Sequence, residues 1–156
     1  MTNILSRVEV FDGLTKDELK IISKHCQKMH FDKGDILVKA GQKSSALYII
    51  IEGQLKVFLP KQIEGTKEHR VSEVNLNVLN EGDCFGEYSL IENMPTSASV
   101  VGVRTGKVLK IEDDQFDRLM DDDHIAKTVY KNLLRILIRR LRKKDKEFDL
   151  LLVVDE

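Results

Sequence analysis

The segment 31–59 constrains the fold most strongly, because it is a series of short runs rich in Ile, Val, Leu and Tyr that glycines interrupt. Turns are expected at Gly34, Gly41 and Gly53, since glycine adopts backbone conformations that other residues reach only with strain. Short runs with this composition and punctuation predict successive strands. Pro60 ends the series, because proline cannot donate to a sheet ladder.

A second group of strands is predicted further along the chain. The polar and charged segment 61–70 is interpreted as an exposed hairpin loop. Segment 71–79 resumes as a strand with alternating apolar residues, and 98–103 and 107–111 are predicted to be two more strands across a turn at 105–106. With helices at both ends, the pattern predicts an α+β fold, an antiparallel β-roll resembling a double-stranded jelly roll.

Helices are predicted on both sides of the strands. Segment 15–29 begins with a capping box, in which the side chains of Thr15 and Glu18 each accept from the other's backbone N–H. Its apolar residues recur at helical spacing: Leu19, Ile22, Cys26 and Met29. Segment 113–120 is predicted to be a shorter helix whose inward-facing residues are Phe116, Leu119 and Met120. The acidic run 121–123 is interpreted as a helix cap rather than a cation site.

The segment 125–152 is predicted to be one long helix whose apolar residues step by four and three. This seam consists of Tyr130, Leu134, Leu137, Leu141, Phe148 and Leu151. We expect the first half to cover the roll and the second half to pair with a twin in a parallel homodimer. The basic residues of the helix spread around several faces, which favours a solvated flank over a nucleic-acid interface.

Length and composition favour one soluble, cytoplasmic domain. The chain has 156 residues, of which 42% are hydrophobic, and 25 basic residues nearly balance 26 acidic ones. The balance gives no indication of nucleic acid or an anionic membrane as a partner, and the longest apolar run is too short to insert into a bilayer. Two cysteines fit a reducing compartment, and the group His25, Cys26 and His30 lacks metal-site spacing. We expect residues 1–123 to form the roll with its first helix and 124–156 to add the final helix to the same domain.

The segment 85–100 carries the chemistry, because it combines a Gly-Glu pair, a Ser-Leu pair, a proline and a run of small residues before a strand. Gly86 allows a tight turn whose N–H groups form an anion nest at the start of a short helix. Taken alone, the Gly-Glu pair favours a structural role, with Gly86 serving a tight turn and Glu87 as a solvated or N-terminal helix carboxylate. The complete order of residues is much more specific than the Gly-Glu pair.

This segment resembles the phosphate-binding cassette of cyclic nucleotide-binding domains. The glycine-punctuated strands upstream also resemble the β-roll of that family, so the similarity covers roughly residues 10 to 145. The resemblance implies that Glu87 accepts from the ribose 2′-hydroxyl and that Ser97 contacts the phosphate, with cAMP or cGMP as the ligand and no further cofactor. It implies this set of ligand-binding residues: Phe85, Gly86, Glu87, Tyr88, Ser89, Pro95, Thr96, Ser97 and Ala98.

Two positions depart from the family pattern. Thr96 stands where the family has the arginine that binds the cyclic phosphate, and threonine has neither the charge nor the reach of a guanidinium. On the final helix, Lys144 and Asp145 follow Arg139-Arg140. At this place, bacterial members resembling catabolite activator protein have two hydroxyl residues that contact the base of the nucleotide. Lys144 could supply the missing charge as a ligand-binding residue, or it could extend to solvent at the seam and fix the register.

Two functional interpretations follow from these features. In the first, the chain is a non-catalytic regulatory domain that senses a cyclic nucleotide or a related anion and relays occupancy to the final helix, and so to its own dimer or an unknown protein partner. In the second, the roll binds no nucleotide and serves as a dimerisation or protein-interaction module. Catalysis is not expected, because no nucleophile–base or metal set accompanies the roll. DNA binding by this chain alone is not expected either, since no helix-turn-helix follows the final helix.

Overall fold

The structure is a computed structural model that describes residues 1–43, 45–63, 65–67 and 69–153. The elements are α1 (Thr2–Leu5), a 3-10 turn (Glu9–Phe11), α2 (Lys16–Lys24), β1 (Gln27–Phe31), β2 (Ile36–Val38), β3 (Ala46–Leu59), β4 (Val74–Leu79), β5 (Cys84–Phe85), α3 (Glu87–Glu92), β6 (Ser99–Glu112), α4 (Asp113–Leu119) and α5 (Asp123–Leu152).

The strands form an antiparallel roll around two long strands of 14 residues each, β3 and β6. These two pair from Ala46 opposite Glu112 to Phe58 opposite Ser99. The strand order is β1-β6-β3-β4, with β2 added to β6 and β5 added to β3. The predicted α+β class and antiparallel β-roll are confirmed.

The prediction of two separate strands at 98–103 and 107–111 was wrong, because β6 runs through both segments without a break. The pairing register with β3 shifts near Gly53, whose φ is +92°. A Cβ atom at Gly53 would lie 2.8 Å from the carbonyl oxygens of Arg104 and Thr105. The glycines therefore permit a close approach of two bent strands instead of ending one of them.

The prediction of a helix over 15–29 was correct at its start and wrong at its end. The capping box of Thr15 and Glu18 is present, with N···O distances of 3.0 and 3.2 Å. However, α2 stops at Lys24, and Cys26 and Met29 lie outside it, since the chain enters β1 and pairs with β6. Strand pairing has overridden the helical periodicity of these residues.

The core has two layers on the two faces of the sheet. The roll interior holds a cluster that includes Phe31, Ile50 and Val108, while the opposite face packs against the helices. The first half of α5 supplies Ile125, Val129, Leu133 and Ile136 to the helix-facing layer. From Leu141 onward the described residues of α5 are exposed.

Polar contacts fix the start and the middle of α5. Asp122 caps α5 by accepting from the N–H of Ile125 at 3.0 Å, as the capping interpretation predicts. The buried Asn132 donates from Nδ2 to the carbonyl oxygens of Val10 at 3.0 Å and Asp12 at 2.8 Å. These bonds attach the middle of α5 to the 3-10 turn.

Two remaining segments complete the description. In the predicted loop 61–70, Gln62 and His69 form an antiparallel bridge, and Glu64 and Glu68 lie outside the described residues. The following strand begins at Val74, later than the predicted Val71. Within the described ranges, no helix is long and apolar enough to cross a membrane.

Candidate functional site

The site begins at Gly86, where the chain leaves β5 and turns into α3. Gly86 has a φ of +90°, and a Cβ atom there would lie only 2.4 Å from the carbonyl oxygen of Ala46. No other residue fits this position without displacing β3. The turn directs the next residue, Glu87, into the protein, where it is 2% exposed.

The two carboxylate oxygens of Glu87 have different surroundings. Oε1 accepts from Nη1 of Arg140 at 2.5 Å. Oε2 is buried and has no hydrogen-bond partner within the part of the chain that the structure describes. Because buried polar atoms are nearly always paired, Oε2 is an acceptor that a water or a ligand donor would complete.

Arg140 connects α5 to this turn. Its Nη2 donates to the carbonyl oxygen of Cys84 at 2.7 Å, next to the bond that Nη1 makes with Glu87. Burial disfavours the charge, but the neighbouring Glu87 carboxylate raises the guanidinium pKa above its ordinary value. Burial also raises the pKa of the Cys84 thiol to about 12, so this cysteine is a neutral core residue.

Thr96 lies at the other end of the predicted site and is half-buried. Its hydroxyl donates to the carbonyl oxygen of Ala98 at 2.5 Å. Its backbone N–H donates to Gln42 at 3.1 Å, and its carbonyl oxygen accepts from Gly41 at 2.8 Å. The threonine therefore anchors its own loop, and its one hydroxyl proton is already used.

The other predicted residues of the segment are placed unequally. Phe85 is buried and stacks on Tyr48, with ring centroids 4.8 Å apart. Ser89 is buried in α3 and Ala98 is half-buried, whereas the exposed members are Tyr88, Pro95 and Ser97. The structure thus brings Phe85, Gly86, Glu87 and Ser89 against the roll and leaves the exposed three at the surface.

Lys144 contacts β4 rather than the segment 85–100. Its Nζ donates to the carbonyl oxygen of Leu76 at 2.7 Å and to Glu147 Oε2 at 3.1 Å. About half of its side chain is exposed, at 48%. These contacts place the ammonium group beside a strand that faces α5.

Sequence reasoning named Arg140 but did not assign it to the site. A signal was available, because Arg140 follows the buried Val129, Leu133 and Ile136 at helical spacing and continues that inward face. Arg139, one position earlier, points elsewhere and pairs with the exposed Glu9. An arginine in line with an apolar helix face indicates a buried charged partner.

Comparisons with known proteins agree with this geometry. The cyclic nucleotide-binding domain family matches residues 28–123, which is more than half of the chain. The chain therefore belongs to the cyclic nucleotide-binding domain family, as the resemblance of the sequence predicts.

Three individual similarities are informative. The cGMP-dependent protein kinase egl-4 of Caenorhabditis briggsae is 34% identical over 121 residues, which are 77% of this chain and 15% of the kinase. The crystal structure of Thermus thermophilus catabolite activator protein superimposes with a TM-score of 0.73 at 29% identity, covering 92% of this chain and 62% of that one. A cAMP-bound variant of the regulatory subunit of a cAMP-independent protein kinase A from Trypanosoma brucei superimposes with a TM-score of 0.70.

The trypanosomal similarity has 22% identity and covers 86% of this chain and 44% of that one, so it shows the fold alone. The chain spans less than two thirds of the length of each of these three proteins.

Proposed function

We propose that the chain is a non-catalytic regulatory domain that binds a cyclic nucleotide or a related anion in the roll and relays occupancy to α5. The observation that carries the proposal is Glu87, whose Oε1 is held by Arg140 of α5 while Oε2 is buried and free. A ribose 2′-hydroxyl is a donor that suits Oε2. The relative named as a cGMP-dependent protein kinase supports this ligand class.

The relay follows from the shared carboxylate. A hydroxyl that donates to Oε2 draws negative charge away from Oε1 and so weakens the bond to Arg140. Arg140 also donates to the Cys84 carbonyl, so α5 is bonded to both sides of the turn at Gly86. A ligand bound at Glu87 therefore changes the strength of the bonds between this turn and α5. A ligand that fits one placement of α5 better shifts the population towards it, by no more than its differential affinity.

The phosphate side of the ligand is bound weakly in this proposal, because Thr96 is neutral and donates to Ala98. Loss of one member of a buried charged pair costs about 2 to 5 kcal/mol, and about 1.4 kcal/mol is tenfold in affinity. Ser97, Tyr88 and Pro95 are proposed to border the ligand from the surface.

The output of the domain is proposed to be a parallel homodimer through α5, in the cytoplasm, with an unidentified protein partner downstream. Most of the predicted seam is exposed in one chain: Tyr130, Leu134, Leu141, Phe148 and Leu151 are between 41% and 81% exposed. Exposed apolar side chains at heptad spacing are typical of a coiled-coil partner surface. Leu137 is half-buried and joins the seam to the roll.

A second candidate function is a roll that binds no nucleotide and acts as a dimerisation or protein-interaction module. The observation that favours it is the Thr96 hydroxyl, which is directed at Ala98 and leaves the phosphate side without a charge. The exposed seam of α5 serves both candidates equally.

Titration calorimetry with cAMP and cGMP tests the proposal, after nucleotide retained from expression has been removed and its absence checked by mass spectrometry. Saturable binding that Glu87→Gln weakens at least tenfold supports the regulatory domain, because the amide replaces one acceptor oxygen by a donor. Glu92→Gln is the matched control, since Glu92 is exposed on the same helix.

Two results would contradict the regulatory proposal. One is absence of heat up to millimolar nucleotide in a folded protein. The other is binding that Glu87→Gln and Glu92→Gln change equally. Unchanged thermal stability with ligand, together with a concentration-dependent dimer, would support the interaction module instead.

A further inference from the structure

A cavity of about 250 Å³ lies next to the cassette but outside it, between the segment that follows β2, the start of β3 and the end of β6. Its lining includes Lys39, Lys43, Tyr48, Lys110 and Glu112, and we call it the lysine cavity. Glu87 and Thr96 are not part of its lining. It is therefore a different place from the proposed nucleotide site.

The charge of the lysine cavity is strongly positive. Three lysines and one glutamate give a formal net charge of +2, counted as three minus one. Lys110 Nζ lies 2.9 Å from Glu112 Oε1 and 5.9 Å from the centre of the Tyr48 ring. The Lys110 side chain is 23% exposed, so its charge is partly removed from solvent, and its field is correspondingly less screened.

We propose that the lysine cavity binds a small phosphate monoester. Such a group carries a charge of about −1.5 to −2 at neutral pH, which matches the net charge of the cavity. Its oxygens accept hydrogen bonds from ammonium groups, and the Tyr48 hydroxyl at the wall is a further donor. A volume below the ~300 to 1,000 Å³ of drug-sized pockets suits a phosphate with a short organic stem.

The wall of the lysine cavity is also the support of the cassette. Tyr48 is 7% exposed and stacks on Phe85 with an interplanar angle of 4°. Gln42, another lining residue, accepts the backbone N–H of Thr96 at 3.1 Å. A ligand in this cavity therefore contacts residues that hold both ends of the cassette, without occupying the cassette itself.

Phosphorus NMR and calorimetric titration with inorganic phosphate and glycerol 1-phosphate, at constant ionic strength in chloride, test the assignment. We expect saturable binding that Lys110→Gln weakens about tenfold or more, the effect of losing one charged hydrogen bond. Lys107→Gln is the matched control, because Lys107 is on the same strand and also pairs with a glutamate, Glu52, away from the cavity. The control should stay within about twofold of the wild type.

If Lys110→Gln fails to fold, Lys43→Gln carries the same test, since Lys43 is exposed and contributes little to the core. The assignment is overturned if the wild type shows no saturable phosphate binding, or if cavity and control variants lose equal affinity. Tighter binding of a phosphoserine peptide than of glycerol 1-phosphate would overturn the proposal of a small free ligand and would favour a phosphoprotein as the partner.

Discussion

The two ends of the cassette differ in chemistry although they belong to one short segment. At the first end, Glu87 is buried and its Oε1 accepts from Arg140, while Oε2 has no hydrogen-bond partner among the described residues. At the second end, Thr96 is neutral, and its hydroxyl is bonded within the protein. In the proposed site, the sugar side therefore has a buried acceptor for a ligand donor, whereas the phosphate side has no charged side chain at Thr96.

The Glu87 side is less stable without a ligand than with one. A buried acceptor with no partner costs roughly 1 to 3 kcal/mol, and a hydrogen bond from a ligand hydroxyl can offset that cost. Thr96 has no such cost, because its hydroxyl is satisfied by Ala98. Occupancy should therefore depend mainly on the sugar side, and the following experiments test this division.

The largest effect is expected from Thr96→Arg, which returns a guanidinium to the phosphate side. The affinity for cAMP or cGMP should rise at least about 30-fold and up to several thousand-fold, since a buried charged contact contributes about 2 to 5 kcal/mol. Titration calorimetry measures the change. Thr105→Arg adds the same charge at an exposed position of β6 and should leave the affinity unaltered. Equal gains in both variants would attribute the effect to net charge alone.

The next effect concerns stability without ligand. Arg140→Gln leaves the carboxylate of Glu87 buried without a cationic partner, and we expect a loss of about 3 kcal/mol in the free energy of unfolding. Arg139→Gln removes the exposed pair with Glu9 and should cost less than about 1 kcal/mol. Urea denaturation at neutral pH compares these neighbouring arginines. Similar losses would show that the Glu87–Arg140 pair is not a buried interaction in solution.

Lys144→Met examines whether α5 supplies charge to the phosphate side. Since Lys144 contacts Leu76 and Glu147, we expect nucleotide affinity to stay within about threefold, while the dimer tightens as an apolar residue extends the seam. Calorimetry and sedimentation equilibrium give the two readings. Lys146→Met on the same helix is the control. Abolished nucleotide binding in Lys144→Met alone would assign this lysine to the ligand.

The smallest effect is the acid dependence of the exposed pair. The hydrogen bond from Arg139 lowers the pKa of Glu9 in the folded protein below its ordinary value. The pair therefore stabilises the fold at any pH above the ordinary pKa of a glutamate. This stabilisation is lost as the pH falls through the lowered pKa of the folded state. The difference in unfolding free energy between wild type and Arg139→Gln should be below about 1 kcal/mol at neutral pH and should vanish in acid. A difference that grows in acid would contradict this assignment.

Local chemistry explains which parts were predictable from sequence. The capping box of Thr15, the turn at Gly86 and the cap by Asp122 depend on residues within a few positions of each other. The continuous β6 was not predicted, because the approach of β3 at Gly53 is a contact between distant segments. A glycine required by such an approach has the same sequence signal as a turn.

In the candidate site, too, contacts between neighbouring residues were predictable and contacts between distant segments were not. Glu87 was assigned from the motif around it, whereas its bond to Arg140 spans 53 positions of sequence. The lysine cavity combines Lys39 and Lys43, from the segment between β2 and β3, with Lys110 of β6, which is distant in sequence and shares no motif with them. Charges that meet only through the fold are invisible to spacing arguments within one segment.

Asn132 attaches the middle of α5 to the 3-10 turn, so α5 can tilt about this point as a rigid rod. At 1.5 Å per residue, Arg140 lies about 12 Å from this fulcrum, and Leu152 at the far end lies about 30 Å from it. A small tilt of the helix at the Glu87 turn is therefore magnified about two and a half times at the end, where apolar side chains are exposed. In the proposed relay, a sub-ångström adjustment around a single carboxylate would become an ångström-scale displacement at the surface that a second molecule contacts.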